Sequence, residues 1–128
     1  MPRFVLLFHD CPPSFGKPSH WDLMLERDGA LMTWSLAELP TNWRTPPGHS
    51  SIALEAARLP DHRLAYLDYE GPVSGDRGHV MRIDRGDFEI VNESPEWLHV
   101  RLAGAVAVGD VRLPIAPPTL TPVSPPSS

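Results

Sequence analysis

Short apolar runs of alternating polarity, turn signals between them and the lack of any amphipathic helical stripe predict a mainly β domain. The expected architecture is a compact antiparallel β-barrel of about seven or eight strands with little helix, closed so that few sheet edges are exposed. A chain of 128 residues supports one hydrophobic core, and 41% hydrophobic with 21% charged residues is ordinary for a soluble domain. Its 16 prolines exceed average usage and fall mainly in prospective loops and a C-terminal tail.

Residues 3–9 (RFVLLFH) suit a buried strand that ends at His9 and leaves this histidine at a strand mouth. Residues 10–19 (DCPPSFGKPS) contain three prolines and a glycine, which excludes a helix or central strand and makes them a loop. Residues 20–27 and 30–37 flank Asp28-Gly29, the signal for a two-residue hairpin turn with positive φ. Residues 38–50 read as loop with Trp43 as an anchor, and residues 51–57 as a strand or one helical turn, the alternation of Ile52, Leu54 and Ala56 favouring the strand. Residues 58–78 read as an irregular connection around a short strand that carries His62, Tyr66, Tyr69 and Glu70.

From His79 the alternation returns as HVMRID and DFEIVN, joined at Arg85-Gly86 in an expected second hairpin, and two further strands follow in EWLHVRLAG and AVAVGDVRLPI. The folded domain is expected over residues 1–113, with residues 114–128 as a Pro/Ser/Thr-rich tail too poor in apolar surface to order. The N-terminal apolar run is too short for a signal peptide, no run approaches the length of a membrane span, and Cys11 is the only cysteine. A cytoplasmic protein without membrane partners is the expectation. A net charge of −5 with no basic block excludes bulk non-specific DNA binding, so any nucleic-acid contact must be local.

His20-Trp21-Asp22 is the stretch with the most chemistry. On a strand His20 and Asp22 share a face, about 7 Å apart at Cα, while Trp21, Leu23 and Leu25 face the core. One reading is a solvated outer face continued by Glu26. The other is a ligand pair completed by His9 from the neighbouring strand. Two imidazoles and a carboxylate suit Mn²⁺, Fe²⁺ or Zn²⁺ and leave positions open for substrate or water. The same donor types also occur in the facial triad of non-haem iron oxygenases. His49 and His99 read as ordinary loop or strand residues.

FHD, then HWDLMLERDGALMTWSL, then DHRLAYLDYEGPVSGDRGHVMRIDRGDFE resemble, in order, the motifs of the 3′-phosphoesterase domain of bacterial DNA ligase D proteins. The resemblance runs from about residue 8 to residue 89. It implies a β-barrel enzyme that trims nucleic-acid 3′ ends, removing a terminal ribonucleoside and then a 3′-phosphate, with Mn²⁺ as the favoured metal. By motif position it makes His9, His20 and Asp22 the metal ligands and puts His62 and Tyr66 on the scissile phosphate. A smaller phosphoester is an alternative substrate.

Departures from the family pattern are equally specific. Met24 stands where the family's H-x-D-x-R strand has arginine, a loss worth about 2–4 kcal/mol of transition-state stabilisation if that group acts as other such donors do. Pro60 replaces an acidic residue, Arg63 a proline, and Asp76-Arg77-Gly78-His79 a Gly/Tyr-rich loop. Arg77, Arg63 and His79 are candidate replacements for the lost charge. The competing function is a catalytically degenerate nucleic-acid or phosphate binding module that kept the barrel and the metal ligands.

Overall fold

The computed structural model describes residues 1–16, 18–40, 43, 52–73 and 77–115. Within them the strands are β1 (Arg3–Asp10), β2 (His20–Arg27), β3 (Ala30–Leu36), β4 (Ile52–Ala53), β5 (Ala56–His62), β6 (Gly71–Pro72), β7 (His79–Glu93), β8 (Trp97–Ala103) and β9 (Val108–Pro114). The only helical pieces among the described residues are 3₁₀ turns at Pro13–Phe15 and Leu64–Leu67. The strands form one curled sheet in the order β4-β9-β8-β7-β1-β2-β3-β5, with β6 added on β7. The pairing is antiparallel throughout except for the short β4–β9 ladder.

The two ends of this path are almost consecutive in the chain. β4 pairs with β9 at one end, β5 pairs with β3 at the other, and only Leu54 and Glu55 lie between them. Leu54 donates its N–H to the Arg112 carbonyl and is itself buried in the core. The sheet is thus drawn round into a barrel-like shell by a short covalent link. The expected strand over residues 51–57 is in fact two strands, one on each side of the seam; Ser51 lies outside the described residues. Pro60, which lacks an N–H for a ladder, is tolerated because β5 ends the path and its register slips beside it.

Asp28 and Gly29 both adopt positive φ, 54° and 81°, as the β2–β3 hairpin turn requires. The expected turn at Arg85-Gly86 is not formed. β7 instead runs through it, paired to β1 up to Asp87 and to β8 from Asp87 onward. Gly86 serves close approach there, since a Cβ at that position would lie 2.2 Å from the Ala103 carbonyl oxygen. Local turn chemistry was overridden by pairing on both flanks.

Two apolar clusters lie on opposite faces of β1 and β2. The larger, inside the shell, gathers Phe4, Leu6, Leu23, Leu25, Trp34 and Phe88 with side chains from β8 and β9. The smaller gathers Val5, Leu7, Met24, Leu31, Leu67 and Val80 on the outer face, with Tyr66 and Val73 packed against it. The face expected to be polar and solvated is therefore itself roofed, by the β5–β7 connection. At the other margin, Trp34 Nε1 donates to the Pro114 carbonyl at 2.7 Å and Ile115 packs against the large cluster. Residues 116–128 of the expected tail, His49 and Asp76 lie outside the described residues.

Candidate metal and phosphate site

Cross-strand partners in a sheet share a face, so register places each side chain of the outer face. The terminal row is Val80, His9 and His20; the next is Arg82, Leu7, Asp22 and Ser35. Met24 follows with Val5 and Thr33, and then Glu26 with Leu31 and His62. His9, His20, Asp22, Met24 and His62 thus lie on one face, whereas His79 of β7, level with Asp10, lies on the other.

His9 and His20 meet at the first of these rows, their ring centroids 4.9 Å apart. Cys11, immediately after β1, joins them: one donor atom from each of His9, Cys11 and His20 lies within 4.8 Å of the other two. Cys11 is held there through its N–H, which donates to Ser19 Oγ at 2.9 Å. Asp22 touches the group through His20, with Oδ1 3.3 Å from His20 Nε2.

The hydrogen bonds around the imidazoles give this contact its meaning. His20 Nδ1–H donates to the Pro18 carbonyl at 3.0 Å, which in the neutral ring leaves Nε2 as a lone pair. That lone pair faces Asp22 Oδ1, a buried oxygen with no hydrogen-bond donor. Two acceptors 3.3 Å apart in a site excluded from water repel unless something positive is shared between them, either a proton on His20 or a cation. His9 is oriented likewise, Nε2–H donating to the Arg77 carbonyl at 2.6 Å. Such outward bonds from both rings are the usual means of fixing the tautomer of a metal-ligating histidine. Gly78, at φ 89°, permits this approach, because a Cβ there would sit 1.9 Å from the Asp10 carbonyl oxygen.

His62 and Tyr66 form a second pair, their rings edge-on at 5.6 Å, and Tyr66 stacks in the same manner on Tyr69 at 5.7 Å. His62 Nδ1–H donates to the Pro60 carbonyl, leaving Nε2 outward. A hollow of about 260 Å³ lined by Arg63, Tyr66, Tyr69, Pro72 and Val73 opens beside this pair. His62 stands three rows from His20 along the sheet, with Met24 between. The two clusters share a face but not a point, an arrangement suited to an extended ligand.

Met24 is 1% exposed and packs in the outer apolar cluster, so the position that matches the family's arginine is part of a hydrophobic floor. A cation stands elsewhere on that floor: Arg82, level with Leu7 and Asp22, whose guanidinium makes no hydrogen bond or ion pair with a described residue. Cys11 and Arg82 were not singled out from the sequence. Cys11 lies beyond the strand, where alternation says nothing of direction. Arg82 alternates with Val80 in β7, but only the register against β1 shows which face they occupy.

A family model described as the DNA Ligase D 3′-phosphoesterase domain matches residues 14–115. That span holds His20, Asp22, His62, Tyr66 and Arg82 and begins after His9 and Cys11. A multifunctional non-homologous end joining protein LigD of Mycobacterium bovis is 38% identical over 74 residues, 55% of this chain and 9% of its own length. The corresponding DNA repair protein of Mycobacterium tuberculosis matches to the same extent. The chain therefore spans a small part of the relatives it matches. No described helix is long and apolar enough to cross a membrane. With four-fifths of its length under the family model and the His-x-Asp strand in place, this chain belongs to the family of DNA ligase D 3′-phosphoesterase domains.

Proposed function

We propose that this protein is a divalent-metal-dependent phosphoesterase that removes phosphate or a terminal ribonucleotide from nucleic-acid 3′ ends. The observation that carries the reading is Asp22 Oδ1, buried, without a donor and 3.3 Å from His20 Nε2, the ring of His20 in turn meeting that of His9 at 4.9 Å. His9, His20 and Asp22 would hold the metal, and the family resemblance favours Mn²⁺ for it. When bound, a divalent ion supplies Lewis-acid polarisation of a phosphoryl oxygen and lowers the pKa of water.

The chain's own side chains supply positioning and proton transfer. Arg82, level with Asp22 across Leu7, offers a forked donor to phosphate oxygens and compensates for the missing arginine at Met24. Tyr66 presents a hydroxyl donor over the same floor, and His62 can deliver a proton from Nε2 to a leaving oxygen. The hollow beside Tyr66 and Tyr69 accommodates the next nucleotide, whose base can stack on an aromatic ring. With net charge −5, binding rests on these local contacts rather than on a basic surface.

The test is release of phosphate or nucleoside from DNA ending in a 3′-phosphate or a 3′-ribonucleotide, with small phosphodiesters in parallel, using protein whose metal content has been measured. Activity lost in His20→Ala and lowered roughly 10²–10⁴-fold in His62→Ala supports the reading. Absence of hydrolysis by metal-loaded protein, or undiminished activity of His20→Ala, overturns it. The burial of Met24 among apolar neighbours favours one competing reading, a module that binds 3′-phosphorylated ends without turnover. Saturable binding of such an end with no product would establish that second reading.

A further inference from the structure

We infer that Cys11 is itself a metal ligand, so that this chain's metal centre is a sulfur-containing site selective for Zn²⁺ over Mn²⁺. The inference rests on the metal site of the reading above but not on its phosphoester chemistry.

Geometry is the first support. The donor atoms of His9, Cys11 and His20 are mutually within 4.8 Å. Around a tetrahedral Zn²⁺, bonds of about 2.3 Å to sulfur and about 2.0–2.1 Å to nitrogen put donors roughly 3.5 Å apart. An adjustment on the order of an ångström closes the set. Cys11 lies just past β1, and its thiol stands 3.8 Å from the His9 carbonyl oxygen, on the side of the histidine whose ring belongs to the same group. The backbone of Cys11 is fixed by the Ser19 Oγ bond on one side and by close packing against Gly78 on the other.

The second support is independent of the thiol. Asp22, its side chain 6% exposed, aims an oxygen without a donor at His20 Nε2, which marks the interior side of the same group as a place for a cation. Cys11 closes the group from the loop side, where a hollow of about 390 Å³ lined by Asp10, Cys11, Pro12, Pro13, Gly78 and His79 leads to solvent. Two imidazoles and one thiol thus converge from β1, β2 and the intervening loop, with the Asp22 carboxylate set against the His20 ring beside them.

The chemistry of this donor set decides the metal. Mn²⁺ is served best by carboxylate, carbonyl and water oxygens and stands at the weak end of the divalent affinity series. Thiolate adds little to Mn²⁺ affinity and much to that of Zn²⁺ or Co²⁺. The departure from an all-nitrogen-and-oxygen site is a property of residue 11 alone.

The test loads the full chain separately with Co²⁺, Zn²⁺ and Mn²⁺, without nucleic acid. Co²⁺-loaded protein is expected to show a sulfur-to-cobalt charge-transfer band in the near ultraviolet, absent from Cys11→Ser. Zn²⁺ affinity should fall in Cys11→Ser by more than the roughly 10–100-fold that outer-shell changes cost, while Mn²⁺ affinity stays within about threefold. X-ray absorption of the Zn²⁺-loaded wild-type protein should show sulfur at about 2.3 Å, a readout that does not depend on the variant folding. Stoichiometric Co²⁺ without the band, no sulfur scatterer on zinc, or an unchanged Zn²⁺-to-Mn²⁺ ratio in Cys11→Ser overturns the inference. A sulfur-ligated protein that hydrolyses nothing sinks the phosphoesterase reading and leaves this one intact; an active enzyme without sulfur on its metal does the reverse.

Discussion

Asp22 Oδ1 lies 3.3 Å from His20 Nε2, and no donor reaches it. The pair repels unless a proton on His20 or a cation is shared between the two atoms, and strand pairing on both sides of β2 keeps it in place. Asp22→Asn replaces one oxygen by an N–H₂ that can donate to the imidazole. The metal-free variant is expected to be about 1–2 kcal/mol more stable in denaturant melts, while its divalent-metal affinity falls at least tenfold by calorimetry. A variant that loses stability without metal would show that Asp22 is satisfied in some other way.

Met24 fills the outer apolar cluster with Val5, Leu7 and Leu31. Met24→Ala should cost about 2–5 kcal/mol and Met24→Leu less than about 1.5 kcal/mol, as read from chemical unfolding. Met24→Arg, the change that restores the family residue, must place a guanidinium in this packed floor and should destabilise the fold. A melting temperature unchanged from wild type would show that the floor is open enough for a cation.

Arg82 is in neither apolar cluster and its guanidinium makes no hydrogen bond or ion pair with a described residue, so its loss should be felt by substrate rather than by the fold. Arg82→Ala is expected to lower kcat/KM for a 3′-phosphorylated end by roughly 10²-fold, with melting unchanged within about 0.5 kcal/mol. Arg82→Lys should recover part of this, since a point charge replaces the forked donor. Equal kinetics in all three proteins would remove Arg82 from the site.

Asp84 is the buried acid that holds the β8–β9 turn. Burial, the largest single influence, pushes its pKa up, but N–H donors from Ala107, Ala105, Val106 and Arg85 together outweigh it and leave the carboxyl below its ordinary value. A carboxyl depressed in the folded state stabilises fully above its unfolded pKa, about 3.9. That contribution is lost as pH falls below this value and through the lower folded pKa. Acid unfolding of the wild type should therefore steepen below about pH 4, and Asp84→Asn should be less stable at neutral pH by about 2–3 kcal/mol and show a flatter acid limb. Parallel acid limbs would exclude Asp84 as a contributor.

What the sequence determined by itself is what local rules reach. The Asp28-Gly29 dipeptide specified its hairpin because that turn needs two positive φ angles, and period-two alternation put His20 and Asp22 on the face opposite Trp21, Leu23 and Leu25. The ordered motifs pointed to the family.

Only the tertiary structure decided the rest, because each remaining question concerns neighbours far apart in the chain. Arg85-Gly86 reads locally as a turn, yet β1 and β8 hold it extended. Met24 matches a functional position by spacing, yet Leu67, arriving from the 3₁₀ turn, helps to bury it. Arg82 and Asp22 are 60 residues apart and come level only because β1 lies between their strands in a particular register. Cys11 stands in a proline-rich loop whose direction no periodicity describes, and it meets the histidines because Ser19 and Gly78 fix the path of its backbone.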